Sequence, residues 1–460
     1  MSAPFIIVVA SVTTAFLAVL ARNQRTASAL ISASGAALIA VFALFAPLDS
    51  AIDFIGTPIR FDSSWIILGR ALNMSSAIRP MVGFLYLIGL YMLSGSWVLE
   101  LNRFYPSIAI LILSTVAASI MVEPFLYAAA FIGLAAMGSV LLLVSPLHPR
   151  SVGAVRMMVL YTFSILMILL SGWMIETGSG TGSAFGAGVR VAIVLSFGFA
   201  ILMAIPPFHI WLTAAAQEAS PYILAFVTVV LQGAGFFLLL RFLDEYVWLR
   251  QDPIFSTGLQ IMSAGTMLLA SLWALSTSDL RKVFAYAIVA DMGIILLALS
   301  HATPEGSQIA LALFGTRVFG IAVLALGLSL LAHRSTEWRG AGRRQPFAAL
   351  SILMGLLSLT GFPLTAGFPG RWALMALKFE SRTLILTTLL STMIIFAFLV
   401  LRWTTLLFDS TITSEREPTK TAQQVYLLLG IGSLVVLGIA PQIVIPWVVE
   451  VASGLTHLFP

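Results

Sequence analysis

Three ionisable side chains stand inside or beside long apolar stretches, where each could hold or steer an ion. Asp291 lies in "AYAIVADMGIILLAL", Arg317 lies in "LALFGTRVFGIAVLALG", and Arg371 lies at the end of the glycine- and proline-rich stretch "GFPLTAGFPGRW". A carboxylate among apolar residues can titrate, whereas arginine hardly deprotonates in proteins but can pair with a carboxylate. Charged groups are costly in lipid and usually mark a pathway, so these residues predict an ion site.

Each of these residues also has a structural interpretation. Asp291 and Arg317 could form a buried ion pair that only fixes helix packing. Arg371 could be a snorkelling residue near the end of a span, with its charged head in water. The sequence leaves these alternatives open.

The composition identifies the elements that must position these residues. The chain has 460 residues, of which 60% are hydrophobic and 9% charged, and its mean hydropathy is +1.03. Since about 20 apolar residues span a bilayer as a helix, this predicts an all-α polytopic membrane protein. About fourteen apolar runs can be counted, at 3–21, 27–47, 75–98, 106–122, 124–145, 157–176, 188–208, 222–243, 255–276, 283–300, 307–332, 347–365, 383–408 and 424–448.

Several classes of chemistry are excluded or disfavoured. The chain has no cysteine, so disulfides, iron–sulfur clusters and thiolate metal sites are excluded. Its five histidines are scattered, and it has neither a nucleophile–base constellation nor a phosphate loop. We therefore expect no cofactor, no metal and no redox chemistry within this chain. The formal charge of +5 does not indicate binding to nucleic acid, because the basic residues lie between apolar spans.

The distribution of basic residues predicts the orientation in the membrane. Loops after odd-numbered runs are rich in arginine, whereas loops after even-numbered runs are rich in acids. By the positive-inside rule we expect both termini to be extracytoplasmic. We expect the first span to remain uncleaved. The polar connection 49–74 is then expected to form an extracytoplasmic hairpin or loop.

Two interruptions divide the chain. "IPPFHIWLTAAAQEASP" follows the seventh run at 205–221, and a glycine- and proline-rich stretch at 359–382 interrupts the twelfth. Each could be an ordinary loop or kink, but together they mark the fourth span of two five-span repeats, and an odd number of spans makes such repeats inverted. The predicted organisation is an N-terminal part (1–105), a first repeat (106–244), a second repeat (255–408), and a cytoplasmic linker with a C-terminal helix (409–460).

Five motifs resemble the antiporter-like membrane subunits of respiratory complex I, together with the related subunits of Mrp-type cation/proton antiporters and membrane-bound hydrogenases. They are "LNMSSAIRPMVGFLYLIGLYMLSGS", "PFHIWLTAAAQEASP", "QGAGF", "DLRKVFAYAIVADMGIILLAL" and "GFPLTAGFPGRW", and the resemblance covers roughly residues 70–410. It implies fourteen helices, two inverted five-helix repeats, broken helices 7 and 12, and buried ionisable residues along the membrane midplane.

The sequence departs from this family pattern in its first repeat. The family's span 5 glutamate has no counterpart in "FIGLAAMGS", and Leu202 stands about where the span 7 lysine is usual. Gln232 replaces the lysine of span 8, and glutamine can hydrogen-bond but cannot store a proton. The second repeat keeps its charge through Asp291, Arg317 and Arg371, so any conduction is expected there.

Three further residues complete the candidate ion pathway. His209 either lines a cavity at the first break or makes hydrogen bonds at the cytoplasmic end of a helix. Glu218 is expected to cap or orient the second half of broken helix 7. Lys378, with Glu380, is either a solvated pair near the outer end of span 12 or part of an exit route.

These observations leave three functions open. The first is a membrane subunit of a proton- or sodium-translocating assembly, in a prokaryotic plasma membrane, with other membrane subunits as partners. The second is a structural relative that has lost conduction, as Leu202 and Gln232 suggest. The third is a stand-alone secondary transporter, which is disfavoured because no polar substrate pocket stands out.

Overall fold

The computed structural model describes residues 2–54, 57–67, 69–99, 101–144, 150–177, 185–332, 338–377, 382–411, 420–455 and 457–458. Its helices are α1 (Ala3–Leu20), α2 (Arg25–Phe45), α3 (Ile78–Val98), α4 (Tyr105–Met121), α5 (Ala128–Leu143), α6 (Val152–Glu176), α7 (Phe185–Leu202), α8 (Ile210–Glu218), α9 (Pro221–Glu245), α10 (Val247–Gln251), α11 (Pro253–Ser276), α12 (Leu280–Leu299), α13 (Pro304–Ala332), α14 (Ala341–Arg344), α15 (Pro346–Thr360), α16 (Phe368–Ala376), α17 (Arg382–Leu407), α18 (Thr421–Ile439) and α19 (Ile445–Ser453).

The predicted all-α membrane architecture is confirmed. Eleven helices within the described residues are long and apolar enough to cross a membrane, and shorter apolar helices accompany them. Each of the fourteen predicted apolar runs contains a helix. Proline stands at the first or second position of several of them, including α4, α9, α11 and α15, where its missing N–H costs no intrahelical hydrogen bond.

Both predicted breaks are present. The seventh run is helical up to Leu202 and resumes as α8 at Ile210, and the twelfth is helical up to Thr360 and resumes as α16 at Phe368. Each break falls in the fourth span of its predicted repeat, since the spans are α4, α5, α6, α7/α8 and α9 in the first and α11, α12, α13, α15/α16 and α17 in the second. The inverted relation of the repeats stays a prediction.

The last apolar run is not the single helix that the sequence predicts over 424–448. Helix α18 ends at Ile439, a 3-10 turn follows over Pro441–Ile443, and α19 begins at Ile445. Pro441 and Pro446 explain the interruption, because proline lacks a backbone N–H and clashes with the preceding helical turn.

The connection 49–74 folds as two antiparallel hairpins. Strand β1 (Ala51–Phe54) pairs with β2 (Thr57–Arg60), and β3 (Ser64–Ile67) pairs with β4 (Arg70–Asn73). Strand β4 also pairs with β5 (Val122–Glu123), which follows α4. The hairpins therefore cover the end of the bundle where α4 stops.

The described residues nearest to both termini lie at this same end of the molecule. The amide of Ala3 donates to the carbonyl of Asp62 at 2.9 Å. The amides of His457 and Leu458 donate to the carboxylate of Asp244, near the end of α9. Because Arg241 of α9 bonds the carbonyl of Val122 in β5, the hairpins and both termini share one side of the bundle.

Arginine side chains satisfy the carbonyl ends of several helices. Arg79 donates to the carbonyls of Ala43, Leu44 and Ala46 at the end of α2. Arg241 does the same for Ile120 and Val122 at the end of α4, and Arg402 for Leu275 at the end of α11. A cation at a helix C-terminus meets unpaired carbonyls and the negative end of the helix dipole, so these arginines serve the fold.

Helices α6 and α8 pack so closely that only glycine fits at one position. A Cβ added to Gly153 would lie 2.4 Å from the amide nitrogen of Ala215, whereas a Cβ on Gly265 of α11 meets no atom within 4 Å. We predict that Gly153→Ala lowers the melting temperature of the protein in detergent, because overpacking costs about 1–3 kcal/mol. Gly265→Ala is the control, and it should be neutral or stabilising because alanine favours helix by roughly 1 kcal/mol.

The melting temperature is read as the loss of the monodisperse size-exclusion peak after heating. If Gly153→Ala melts at the same temperature as Gly265→Ala, the close packing of α6 on α8 is wrong.

Candidate ion site

Four side chains from four helices meet in the interior of the bundle. Asp291 comes from α12, Arg317 from α13, Arg371 from α16 and Gln232 from α9. Their exposed fractions are 3%, 3%, 2% and 0%. The structure thus brings together the three predicted charges of the second repeat and the glutamine of the first, and we call this group the buried cluster.

Asp291 forms ion pairs with both arginines of the buried cluster and accepts a hydrogen bond from Arg371. Its Oδ2 lies 3.2 Å from Nε of Arg317, and its Oδ1 accepts a hydrogen bond from Nη2 of Arg371. Asp291 is the one aspartate or glutamate that is buried among the described residues. Two guanidinium groups against one carboxylate leave an excess of one positive charge, which other groups must offset.

The break in the twelfth span offsets this excess at Arg371. The guanidinium donates to the carbonyls of Ser358 and Leu359, in the last turn of α15, and to that of Gly367 at 2.9 Å. The carbonyls of Ser358 and Leu359 carry the negative end of the α15 dipole, and Gly367 adds an acceptor from the break itself. Arg371 is therefore not a snorkelling residue, because its charged head is buried and serves the broken backbone.

Gly361 makes this arrangement possible. It ends α15 in the left-handed region with φ 78°, which costs glycine little. A Cβ at Gly361 would lie 2.2 Å from Cδ of Arg371, so a side chain here would displace the arginine. The glycine-rich motif around the break is thus explained by the path of Arg371.

Gln232 connects the buried cluster to the other break. Its Oε1 accepts from Nη2 of Arg317 at 3.0 Å, and its Nε2 donates to the carbonyl of Met203 at 3.1 Å. Met203 follows the last residue of α7, so its carbonyl belongs to the break in the seventh span. An uninterrupted series of polar contacts therefore runs from Met203 through Gln232, Arg317, Asp291 and Arg371 to Leu359.

Leu202 occupies the first repeat where the resembling family has lysine. It is fully buried, and a Cβ on Gly235 of α9 would lie 3.2 Å from its own Cβ. Its carbonyl accepts from the hydroxyl of Tyr161 at 3.3 Å. The first break is thus held by neutral groups, and Asp291 has no buried acidic counterpart in the described part of this repeat.

His209 and Glu218 lie apart from the buried cluster. His209 immediately precedes α8 and stacks on Trp273 with ring centroids 4.7 Å apart, and its Nδ1 makes no hydrogen bond to the described residues. Glu218 ends α8, but the helix that its carboxylate caps is α6, through Ser151 Oγ at 2.6 Å and the amide of Gly153 at 2.9 Å. It therefore anchors the second half of the seventh span by capping a neighbour. Lys378 lies outside the described residues.

Sequence reasoning missed the bonds that join the buried cluster to the backbone. In the sequence Gln232 suggests that the proton-carrying lysine of the family has been lost. In the structure both the oxygen and the nitrogen of its amide make hydrogen bonds. The role of the Met203 carbonyl cannot be predicted from the pattern of residue types, because every residue has a backbone carbonyl. The signal that could have indicated the third interruption is the proline pair in "IAPQIVIPW".

This fold and site define a class of protein. The chain is a polytopic α-helical membrane protein whose broken spans meet at a buried, charged cluster, an arrangement typical of proteins that handle ions within the membrane. The family described as NADH:quinone oxidoreductase/Mrp antiporter, TM, matches residues 82–397. The chain belongs to this family, as its motifs predict.

Individual proteins agree with this assignment. The chain is 28% identical over 282 residues to NADH-quinone oxidoreductase subunit N of Desulfovibrio desulfuricans, which covers 56% of this chain and 55% of that protein. It thus spans about half the length of the curated relatives that it matches. The fold is that of a chain in the Mrp complex from Dietzia sp. DQ12-45-1b, with TM-score 0.79, 18% identity, and coverage of 98% of this chain and 52% of that chain. A chain of respiratory complex I from Thermus thermophilus gives TM-score 0.76 at 19% identity, covering 98% and 100%.

The two arginines of the buried cluster should contribute unequally to stability. Either substitution leaves Asp291 paired with one arginine, but Arg317→Met gives up weaker contacts with Gln232 and the carbonyl of Ile288. Arg371→Met leaves three backbone carbonyls at the break without their donor. Since breaking a buried pair costs about 3–5 kcal/mol, we predict that Arg371→Met lowers the melting temperature much more than Arg317→Met.

Arg60→Met is the matched control, because Arg60 is 63% exposed and surface pairs contribute about 0–1 kcal/mol. Equal melting temperatures for Arg371→Met and Arg317→Met would show that the carbonyl contacts of Arg371 do not hold the break.

Proposed function

We propose that this chain is a membrane subunit of a proton- or sodium-translocating, multi-subunit assembly of the complex I or Mrp type. The family supports this, as does the fold shared with chains of two such complexes. Its partners are other membrane subunits and the lipid bilayer, and it resides in a prokaryotic plasma membrane. Both termini are extracytoplasmic, which is supported by the arginine-rich loops on the opposite side and by the shared position of the termini and hairpins.

The observation that carries the proposal is the position of Asp291. It is a buried carboxylate inside a span, it contacts two cations, and one of them is bound to the broken backbone of the twelfth span. Asp291 is the member of the buried cluster that can take up a proton or coordinate a sodium ion, because arginine keeps its charge and glutamine is neutral. An ion that reaches Asp291 competes with the arginines, so its arrival is coupled to the state of the break.

Conduction, where it occurs, runs through the second repeat. The described part of the first repeat has no buried carboxylate, and Leu202 fills the place of a titrating residue. Its break is held by the neutral groups of Gln232 and Tyr161. These groups can hold backbone in place, but they have no proton to exchange near neutral pH.

A structural role without conduction is the second candidate, and a specific observation favours it. The N–H groups of the buried cluster donate to backbone carbonyls and to Asp291, as expected of side chains that only hold helices together. In that case the cluster fixes two broken helices in one arrangement, and ion transport belongs to other subunits.

Ion pumping by the native assembly in sealed vesicles distinguishes the two functions. We predict that Asp291→Asn lowers proton or sodium transport at least about tenfold, the effect of losing ~1.4 kcal/mol of barrier reduction. Assembly and the driving activity of the complex should persist. Asp62→Asn is the control, because Asp62 is a 52% exposed hairpin residue whose charge has no part in the buried cluster.

Unchanged transport by an intact Asp291→Asn assembly would contradict conduction through the second repeat. It would leave the buried cluster as a packing device and establish the structural role.

A further inference from the structure

The two predicted breaks differ in how far the chain itself covers them. At the first break Met203, Ala204, Ile205 and His209 are buried and only Pro207 is exposed, whereas the second break has three consecutive exposed residues, 362–364. At the second break Phe362 is 51% and Leu364 64% exposed. The second break therefore lies open at the outside of the bundle, although its inner side holds Arg371.

The unpredicted interruption of the last span lies against this exposed break. A Cβ on Gly438 of α18 would lie 2.5 Å from the carbonyl carbon of Leu364, so the two backbones pack directly on each other. Beyond Gly438 the chain exposes Ile439 at 63% and Ile443 at 57%. We call the surface formed by residues 362–364 and 439–445 the double-break face.

The double-break face lies at membrane depth. Arg371 binds both Leu359, at the edge of the second break, and Asp291. In α12 Asp291 is preceded by 11 helical residues and followed by 8, so it lies roughly 16 and 12 Å from the two ends. Val444 lies 3.4 Å from the Cβ position of Gly315, two residues before Arg317. Both interruptions thus fall within the ~30 Å hydrocarbon core.

Lipid cannot satisfy the polar groups of this face. The carbonyls of Pro363 and Leu364 accept no hydrogen bond from the part of the chain that the structure describes. The side chain of Gln442 is exposed and makes no hydrogen bond there either. Non-helical backbone at membrane depth is tolerated only where protein covers it or a water-filled cavity adjoins it. The large apolar residues around these groups, Phe362, Leu364, Ile439 and Ile443, favour protein over water.

We propose that the double-break face is a docking surface for a transmembrane helix of a partner subunit. The helix presents a hydroxyl or amide side chain to Gln442 and to the carbonyl of Pro363, because the carbonyl of Leu364 packs against Gly438 of α18. It presents apolar residues to Phe362, Leu364 and Ile443. Hydrogen bonds of this kind join helices within membranes. The inference rests on the proposed function, because it requires that the chain belongs to a multi-subunit assembly. Beyond the proposed function, the inference identifies the face that contacts the partner. This face lies on the opposite side of the second break from the buried cluster.

Cross-linking in native membranes tests the surface. A photo-reactive amino acid is placed at Leu364 or at Ile443, and at Leu38 and Leu401 as controls, which are 71% and 66% exposed on the unbroken helices α2 and α17. We expect Leu364 and Ile443 to cross-link to a peptide from a transmembrane helix of a co-assembled subunit. The two controls should not share that peptide.

A second measurement tests the polar contact. Interhelical hydrogen bonds in membranes average about 0.6 kcal/mol, so Gln442→Leu should weaken retention of the cross-linked subunit about threefold during dilution in detergent. Gln24→Leu, in the exposed turn between α1 and α2, should leave it unchanged. Since the chain has no cysteine, a single cysteine at Leu364 also reports water by its reaction with a charged maleimide.

Each contrary result has a distinct meaning. Lipid adducts at both positions in an intact assembly would overturn the docking surface and leave the proposed function standing, and so would fast maleimide labelling. Adducts to a second copy of this chain would replace the partner by self-association and overturn the proposal. If the wild-type chain migrates alone on a native gel, the proposed function fails together with the docking surface.

Discussion

The guanidinium group of Arg371 is the constraint on which the arrangement of the second repeat depends. A positive charge inside a membrane protein must be met by opposite charge and by acceptors. Arg371 has both, since Asp291 supplies the carboxylate, and the last turn of α15 and Gly367 supply the carbonyls. The break in the twelfth span is therefore a binding site for an arginine, and Gly361 shapes it by leaving room for the side chain.

From this contact the asymmetry between the repeats follows. In the second repeat a charged pair holds the broken backbone, whereas in the first the amide of Gln232 holds it. Gln232 also accepts from Arg317, so the neutral break and the charged break are joined through one series of hydrogen bonds and ion pairs. A change of charge at Asp291 would act first on the two arginines and through them on both breaks. An ion-handling role and a structural role would therefore depend on the same contacts of Asp291 with the two arginines.

Much of the fold could be predicted from the sequence, because lipid imposes strong rules on a chain. Apolar runs of about 20 residues, enough to span a bilayer, form helices. The stretches around Ile205 and Gly361 predict interruptions because proline and glycine disfavour helix. The charge at Asp291 was visible for the same reason, since a carboxylate in an apolar run is rare. The bonds of Gln232 and Arg371 were not predictable, because their partners are backbone carbonyls, which every residue carries. The third interruption was missed because the apolar composition around Pro441 outweighed the two prolines in the pattern.

If this chain translocates ions as proposed, Asp291 exchanges its arginine contacts for the translocated ion. Infrared difference spectroscopy of the assembled complex during turnover tests this most directly, because a carboxyl vibration changes when the group gains a proton or binds a cation. We predict a carboxyl band that appears during turnover in the wild type and is absent from Asp291→Asn. Identical difference spectra for the two proteins, with transport running in both, would contradict it.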